Sequence, residues 1–151
     1  MSTCFICKKH SGEIKVSGGT VYEDEYVYAG HIYSEDDDHY LGYMMIDLKR
    51  HAPGLGDMTD DESKAFGSLL NKLRQGLKVI EGAEHIYAFV AGDAVPHLHM
   101  HIIPRYSDTP EEYWGPGAVM KWPGARKGGK HDIEKVCHRL KEFLVDEKSL
   151  S

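Results

Sequence analysis

The run His97-Leu98-His99-Met100-His101 limits what this chain can become more than any other stretch. In a β-strand residues two apart face the same way, so the three imidazoles form one column with neighbours about 7 Å apart. Leu98, Met100 and Ile102 then point to the opposite side. Imidazoles are poor core residues and the aliphatic face needs a core, so the strand belongs in a sheet with one buried face and one face on a cleft. Histidines in a column have three uses: metal ligation, chemistry at phosphorus, or none beyond a solvated face. The lone pair of a neutral imidazole can attack phosphorus near neutral pH and split one hard displacement into two easier ones.

The flanking sequence supplies the rest of such a sheet. Between Thr20 and Leu48, Val21-Tyr22, Tyr26-Val27-Tyr28, Ile32-Tyr33 and Tyr43-Met44-Met45-Ile46 read as short antiparallel strands, separated by Gly18-Gly19, Asp36-Asp37-Asp38 and Gly42. A loop follows from His51 to Asp57, and Thr59-Asp60-Asp61-Glu62 is a capping box that opens a helix. Its apolar stripe, Ala65, Phe66, Leu69, Leu70, Leu73 and Leu77, suits packing on a sheet, and Gly82 closes it. Two further strands are expected over Glu84–Ala91 and His97–Ile103, then a loop over 107–130 and a C-terminal helix over 131–147. The pattern is that of an α+β fold: an antiparallel sheet of about five strands, one central helix and one C-terminal helix, in a single domain over residues 1–151.

Charge and composition narrow the function. A formal net charge of −6 opposes broad nucleic-acid binding, which needs a basic face, but leaves room for a small phosphorylated ligand held by a few local donors. No apolar run reaches the roughly 18 residues of a membrane span, and Met1 to Cys7 lacks the layout of a signal peptide, so the cytoplasm is the expected address. An odd count of three cysteines does not read as a disulfide framework.

Within the column the middle residue, His99, is the expected nucleophile. Attack through one ring nitrogen requires the other to be held as a donor, and a carbonyl of its own strand can do this. His101 is then placed to serve the departing oxygen. Asp93 and Arg105 flank the run as candidate substrate-binding residues. Lys121, Arg126, Lys127 and Lys130 are either further phosphate contacts or, as loop charges more often are, merely solvated, and Trp114 and Trp122 could stack on a base or fill a dimer groove.

Cys4-Phe5-Ile6-Cys7 has the spacing of half a tetrahedral zinc site. Two ligands are missing, and His10, His51 and His97 are the candidates. The alternative is a pair of plain thiols at a mobile terminus. Cys137, on the apolar stripe Ile133, Val136, Leu140, Phe143 and Leu144, reads as a small core residue.

The run His97-Leu98-His99-Met100-His101-Ile102-Ile103 resembles the signature of the histidine triad family, and Pro104-Arg105 resembles its bacterial and diadenosine-polyphosphate hydrolase members. Gly42 to His51 is similar to the family's strand and basic-histidine segment, and Val21-Tyr22-Glu23-Asp24 to its early strand, so the resemblance takes in about two-thirds of the chain. It implies a homodimer that binds a purine nucleotide or dinucleotide and cleaves a phosphoanhydride, phosphoramidate or adenylyl bond through a nucleotidylated His99. It also implies that His101 contacts the leaving side and that His97 gives its carbonyl for orientation. The related uridylyltransferases carry glutamine where this chain has His101, which favours the hydrolase branch. Many bacterial members also resemble the chain in a paired-cysteine start, and this implies a structural zinc on Cys4, Cys7, His51 and His97, within a zinc-bound segment over 1–15. Departures lie near the substrate. Asp93 stands where the family commonly has glutamine, Phe89-Val90-Ala91-Gly92 lacks its asparagine, and the ribose acid has no clear equivalent near His31-Ile32 or Glu35. An alternative function is therefore a zinc-stabilised nucleotide-binding or adaptor module; a metallohydrolase using the triad as catalytic ligands has no supporting carboxylate motif.

Overall fold

In the computed structural model, which describes residues 4–35 and 37–150, the expected sheet is present. Strands β1 (Tyr22–Glu23), β2 (Val27–His31), β4 (Met44–Leu48), β5 (Ala83–Phe89) and β6 (His99–Tyr106) form one antiparallel sheet in the order β1-β2-β4-β6-β5. β3 (His39–Tyr40) pairs separately with β7 (Lys127–Gly128). Asp36 of the expected acidic turn lies outside the described residues.

The helix α2 (Asp60–Val79) starts where its capping box predicts. The Thr59 hydroxyl accepts from the Glu62 amide at 3.1 Å, and the Glu62 carboxylate accepts from the Thr59 amide at 2.8 Å. Phe66, Leu69, Leu73 and Leu77 all bury on the sheet face that carries Ile46, Leu98 and Ile102. Burial of such side chains contributes about 1.5–3 kcal/mol each. α3 (Lys130–Leu150) packs its predicted stripe against α2. The crossing is close at Gly76, where a Cβ would stand 3.1 Å from Leu140 and Phe143.

Three differences from the sequence reading bear on the site. First, Phe5–Ser11 forms a helix, α1, with Cys4 at its N-cap and Gly12 ending it at φ 83°. Second, β6 begins at His99 rather than His97 and runs on to Tyr106. His97 and Leu98 instead extend past the strand, where the Leu98 amide donates to the Ala52 carbonyl at 2.8 Å. Pro104 is tolerated inside β6 because β4 ends its pairing at Ile102 and flanks it no further. Third, the 107–130 segment is not all loop: it has 3-10 turns at Glu111–Tyr113 and Ala118–Met120, besides β7.

The outer face of the sheet is thus covered at both ends and open between. α1 lies over β2 and β4, where His10 stacks near Tyr28 with ring centroids 4.7 Å apart. The segment after β6 folds back over the side of β5, tied there by the Gly115 amide donating to the Tyr87 hydroxyl at 2.8 Å. The fold rests on the opposite, helix-covered face, so a cavity there should be costly. Leu73→Ala is expected to lower unfolding stability by about 2–5 kcal/mol in a denaturant titration while leaving the outer face intact.

Candidate active site

His99 sits at the start of β6, directly across from Asp47 on β4. Its Nδ1 lies 2.7 Å from the carbonyl oxygen of His97, which accepts a hydrogen bond and leaves the lone pair on Nε2. The residue is 8% exposed, so its ring is sheltered but its edge reaches the cleft. His101 follows on the same face, edge-on to His99 with centroids 5.0 Å apart. Its Nδ1 lies 2.8 Å from the Tyr43 hydroxyl, and Phe89 on β5 stacks over its ring at 4.8 Å and 21°. Burial and the neighbouring His99 push the His101 pKa down, partly opposed by Asp47. Tyr43 is pushed up by burial and stays a neutral hydroxyl.

His97 belongs to a different cluster. Its Nε2 is 2.6 Å from the Leu48 carbonyl, so Nε2 carries the proton and Nδ1 presents a lone pair. That Nδ1 lies 3.3 Å from Cys4 Sγ, 3.4 Å from Cys7 Sγ and 3.1 Å from His51 Nδ1, and Cys7 Sγ lies 3.4 Å from His51 Nδ1. All four ligand atoms fall within 4.8 Å of one another. A tetrahedral zinc ion with its usual bond lengths puts ligand atoms about 3.3–3.8 Å apart, so the donor set fits in both chemistry and spacing. Burial lowers the His97 pKa, keeping the ring in the neutral form a metal requires. The set includes His51 and His97; His10 is directed elsewhere.

His10 and Lys9 meet Asp47, a carboxylate with 0% exposure. Its Oδ2 accepts from Lys9 Nζ at 2.5 Å and from His10 Nε2 at 3.2 Å, while its Oδ1 has no partner among the described residues. Burial pushes this carboxyl up, but the bonds from His10 and Lys9 and the Lys9 charge outweigh it and hold the pKa below the usual carboxylate value. Asp47 is therefore a fixed negative charge beside the triad. Sequence reading passed over it; its signal is parity, since Tyr43, Met45 and Asp47 alternate onto the same face as the histidines.

A small cavity of about 110 Å³ opens between α1 and the sheet, lined by Phe5, Lys9, His31, Tyr33 and Met45 among others. His31 occupies the neighbourhood where a ribose acid was sought, and it is buried. Its Nδ1 donates to the Ile32 carbonyl at 2.7 Å and its Nε2 accepts from the Gly42 amide at 2.9 Å. With both nitrogens engaged and the ring desolvated, its pKa falls from 6.5 to about 4. Gly42 is required at this turn: its φ is 93°, and a Cβ would meet the Tyr106 hydroxyl and Pro104.

The remaining sequence candidates scatter. Asp93 is exposed in the connection before the triad. Arg105 is on the histidine face of β6, four residues beyond His101, stacked under Trp114 with its Cζ 3.7 Å from the ring centroid. Arg126 stacks on Tyr106 at 3.9 Å and donates to the Glu81 carbonyl at 3.1 Å, a structural role away from the triad. Trp122 packs against Gly124.

The HIT domain, the histidine triad domain, matches residues 15–108 of the chain, which belongs to that family. An uncharacterized HIT-like protein from Methanocaldococcus jannaschii is 31% identical over 142 residues, covering 91% of this chain and 98% of the relative. A bis(5'-adenosyl)-triphosphatase from Saccharomyces cerevisiae is 30% identical over 111 residues, covering 56% of this chain and 54% of the enzyme. The chain thus matches about half the length of that enzyme. Among solved structures, a zinc-bound histidine triad family protein from Mycobacterium smegmatis shares the fold, with a TM-score of 0.71 at 16% identity over 99% of this chain and 98% of that one. No helix among the described residues is long and apolar enough to cross a membrane.

His31 gives the site a distinct acid sensitivity. The unfolded chain takes up a proton near pH 6.5, whereas folded His31 does so only near pH 4. Between these values the unfolded state binds more protons, so stability falls as pH drops through the window, by up to about 3 kcal/mol. Denaturant titrations from pH 7 to 4 should show this loss in the parent chain and a flatter profile in His31→Gln.

Proposed function

We propose that the chain cleaves nucleotide-phosphate bonds by passing a nucleotidyl group through His99. The observation that carries this reading is the His99 hydrogen bond to the His97 carbonyl at 2.7 Å, which leaves Nε2 as a sheltered nucleophile facing the cleft. Nε2 attacks the phosphorus, a P–N bond forms, and the bond from phosphorus to the leaving atom, oxygen in a polyphosphate or nitrogen in a phosphoramidate, breaks with its electron pair going to that atom. His101 supplies the leaving atom with a hydrogen bond or proton. Water then attacks the same phosphorus and gives up its proton to His101, and the electrons of the bond to Nε2 return to Nε2. While the imidazole is nucleotidylated it bears positive charge, which the Asp47 carboxylate across the strand pair opposes at close range.

The small cavity beside α1 is proposed to receive part of the purine base, with Phe5 and Tyr33 as apolar walls and the ribose left outside it. Substrates of this reading are dinucleoside polyphosphates, nucleoside phosphoramidates or adenylyl conjugates. A homodimer is part of it, for which the outer edge of β5 leaves a strand unpaired within the single chain. The triphosphatase relative supports hydrolysis as the type of reaction. Incubation with diadenosine triphosphate should give an adenylyl-protein adduct by mass spectrometry. His99→Ala should lose the adduct and at least about a thousandfold in turnover; full turnover in that variant would sink the proposal.

Zinc is proposed at Cys4, Cys7, His51 and His97 as a closed, structural centre that ties α1 to the strand bearing the nucleophile. A bound ion supplies a cross-link, not an open coordination position. Purified protein should carry about one zinc per chain by elemental analysis, and Cys7→Ser should lose both the metal and several degrees of thermal stability. Metal content unchanged in Cys7→Ser would count against the site.

A further inference from the structure

Arg105 is buried, with 8% exposure, yet no ion pair among the described residues reaches it although the chain has 24 acidic residues. Among the described residues its guanidinium, built with five donors, makes one hydrogen bond, from Nη1 to the Tyr87 hydroxyl at 3.1 Å, and its buried Nε has no acceptor. A buried guanidinium with no carboxylate partner is expensive to keep, and the cation–π contacts with the Trp114 ring at 3.7 Å and the Tyr87 ring at 6.0 Å offset only part of that cost. The arrangement is ready for an anion that the chain itself does not supply.

Its surroundings say what kind of anion. Phe89 and Trp114 are exposed by 38% and 45%, unusual for aromatic rings, and both stand on the histidine face of the sheet or on the segment folded over it. Phe89 stacks on His101, and Tyr87, two residues along β5 on the same side, holds Arg105. Ile103 lies between His101 and Arg105 on β6 but is buried, so the open path from His101 runs along β5: Phe89, Tyr87, then Arg105 under Trp114. At strand spacing Arg105 stands about 13 Å beyond His101. The small cavity beside α1 occupies the other flank, over β2 and β4. The histidine column therefore has a pocket on one side and an aromatic, cationic platform on the other.

We propose that Arg105, Tyr87, Phe89 and Trp114 form a leaving-group subsite for a planar, phosphorylated leaving group, that is, a nucleoside phosphate. The assignment rests on nucleotidyl transfer through His99 and names the half of the substrate that departs. The phosphate sits against the Arg105 guanidinium, and the base stacks on Trp114 or Phe89. Leaving groups as small as ammonia do not reach the platform and gain nothing from it.

The test compares two substrates with the same adenylyl half: diadenosine triphosphate, which releases ADP, and adenosine 5′-phosphoramidate, which releases ammonia. Arg105→Gln is expected to lower kcat/KM for diadenosine triphosphate about tenfold or more, the value of one charge-assisted hydrogen bond, and to leave the phosphoramidate within about twofold. Trp114→Ala, at an exposed position, should shift the same ratio in the same direction and serves if Arg105→Gln misfolds. Hydrolysis of the adenylyl-His99 adduct, from which the leaving group has already gone, should run at the parent rate in both variants. Equal losses on both substrates, a slowed adduct hydrolysis, or undiminished diadenosine triphosphate turnover would each overturn the subsite while leaving His99 as the nucleophile. Turnover of the phosphoramidate alone would do the same. Absence of His99-dependent turnover with both substrates would overturn the nucleotidyl reading and the subsite together.

Discussion

Every polar group of His97 is committed, and the site depends on that. Its Nδ1 faces the Cys4, Cys7 and His51 donors, its Nε2 is bound to the Leu48 carbonyl, and its own carbonyl fixes the tautomer of His99. One buried residue therefore joins the N-terminal helix, the end of β4 and the nucleophile. His97 can do this because it sits just outside β6, where its backbone is released from the ladder. Had the strand begun at His97, as simple alternation suggests, that carbonyl would be drawn toward a neighbouring strand.

Much of this was legible in the sequence for a physical reason: it was periodic or local. The stripe from Phe66 to Leu77 and the Thr59–Glu62 capping box depend on residues close along the chain and appear where expected, and the alternation holds for His99 and His101, which share one face of β6, while His97 lies just before it. The cysteine spacing pointed to half of a metal site with His10, His51 and His97 as candidate partners, and the family resemblance implied the two, His51 and His97, that the cluster brings together. What was not legible depends on helix α1. Lys9 and His10 carry no periodic signal, and Asp47 in an apolar stretch looks like a turn or an error until α1 folds onto it. The same holds for the cavity walls, since Phe5 and His31 meet only through tertiary contact.

The 107–130 segment was legible only in outline. Its prolines and glycines exclude long regular elements, which is what happens, but they do not say where the loop packs or which of its candidate residues meets the site. By folding back over the side of β5 it gives Arg105 a roof in Trp114 and borders the open path that leads from His101 along β5. The outer face of the sheet is thus divided into a cavity, a histidine column and a platform by two short coverings, neither of which belongs to the sheet itself.

The contact of Lys9 and His10 with Asp47 carries an evolutionary consequence. Three polar groups stand between a helix and a sheet where three aliphatic side chains would pack as well or better. Loss of Lys9 and His10 would leave the carboxylate buried and without its donors; loss of Asp47 would strand the Lys9 ammonium. Either step costs about 3–5 kcal/mol, much of a small domain's whole margin. Positions 9, 10 and 47 are therefore bound to one another in descent: this lineage can leave the arrangement only by changing several of them together, or by first gaining stability elsewhere.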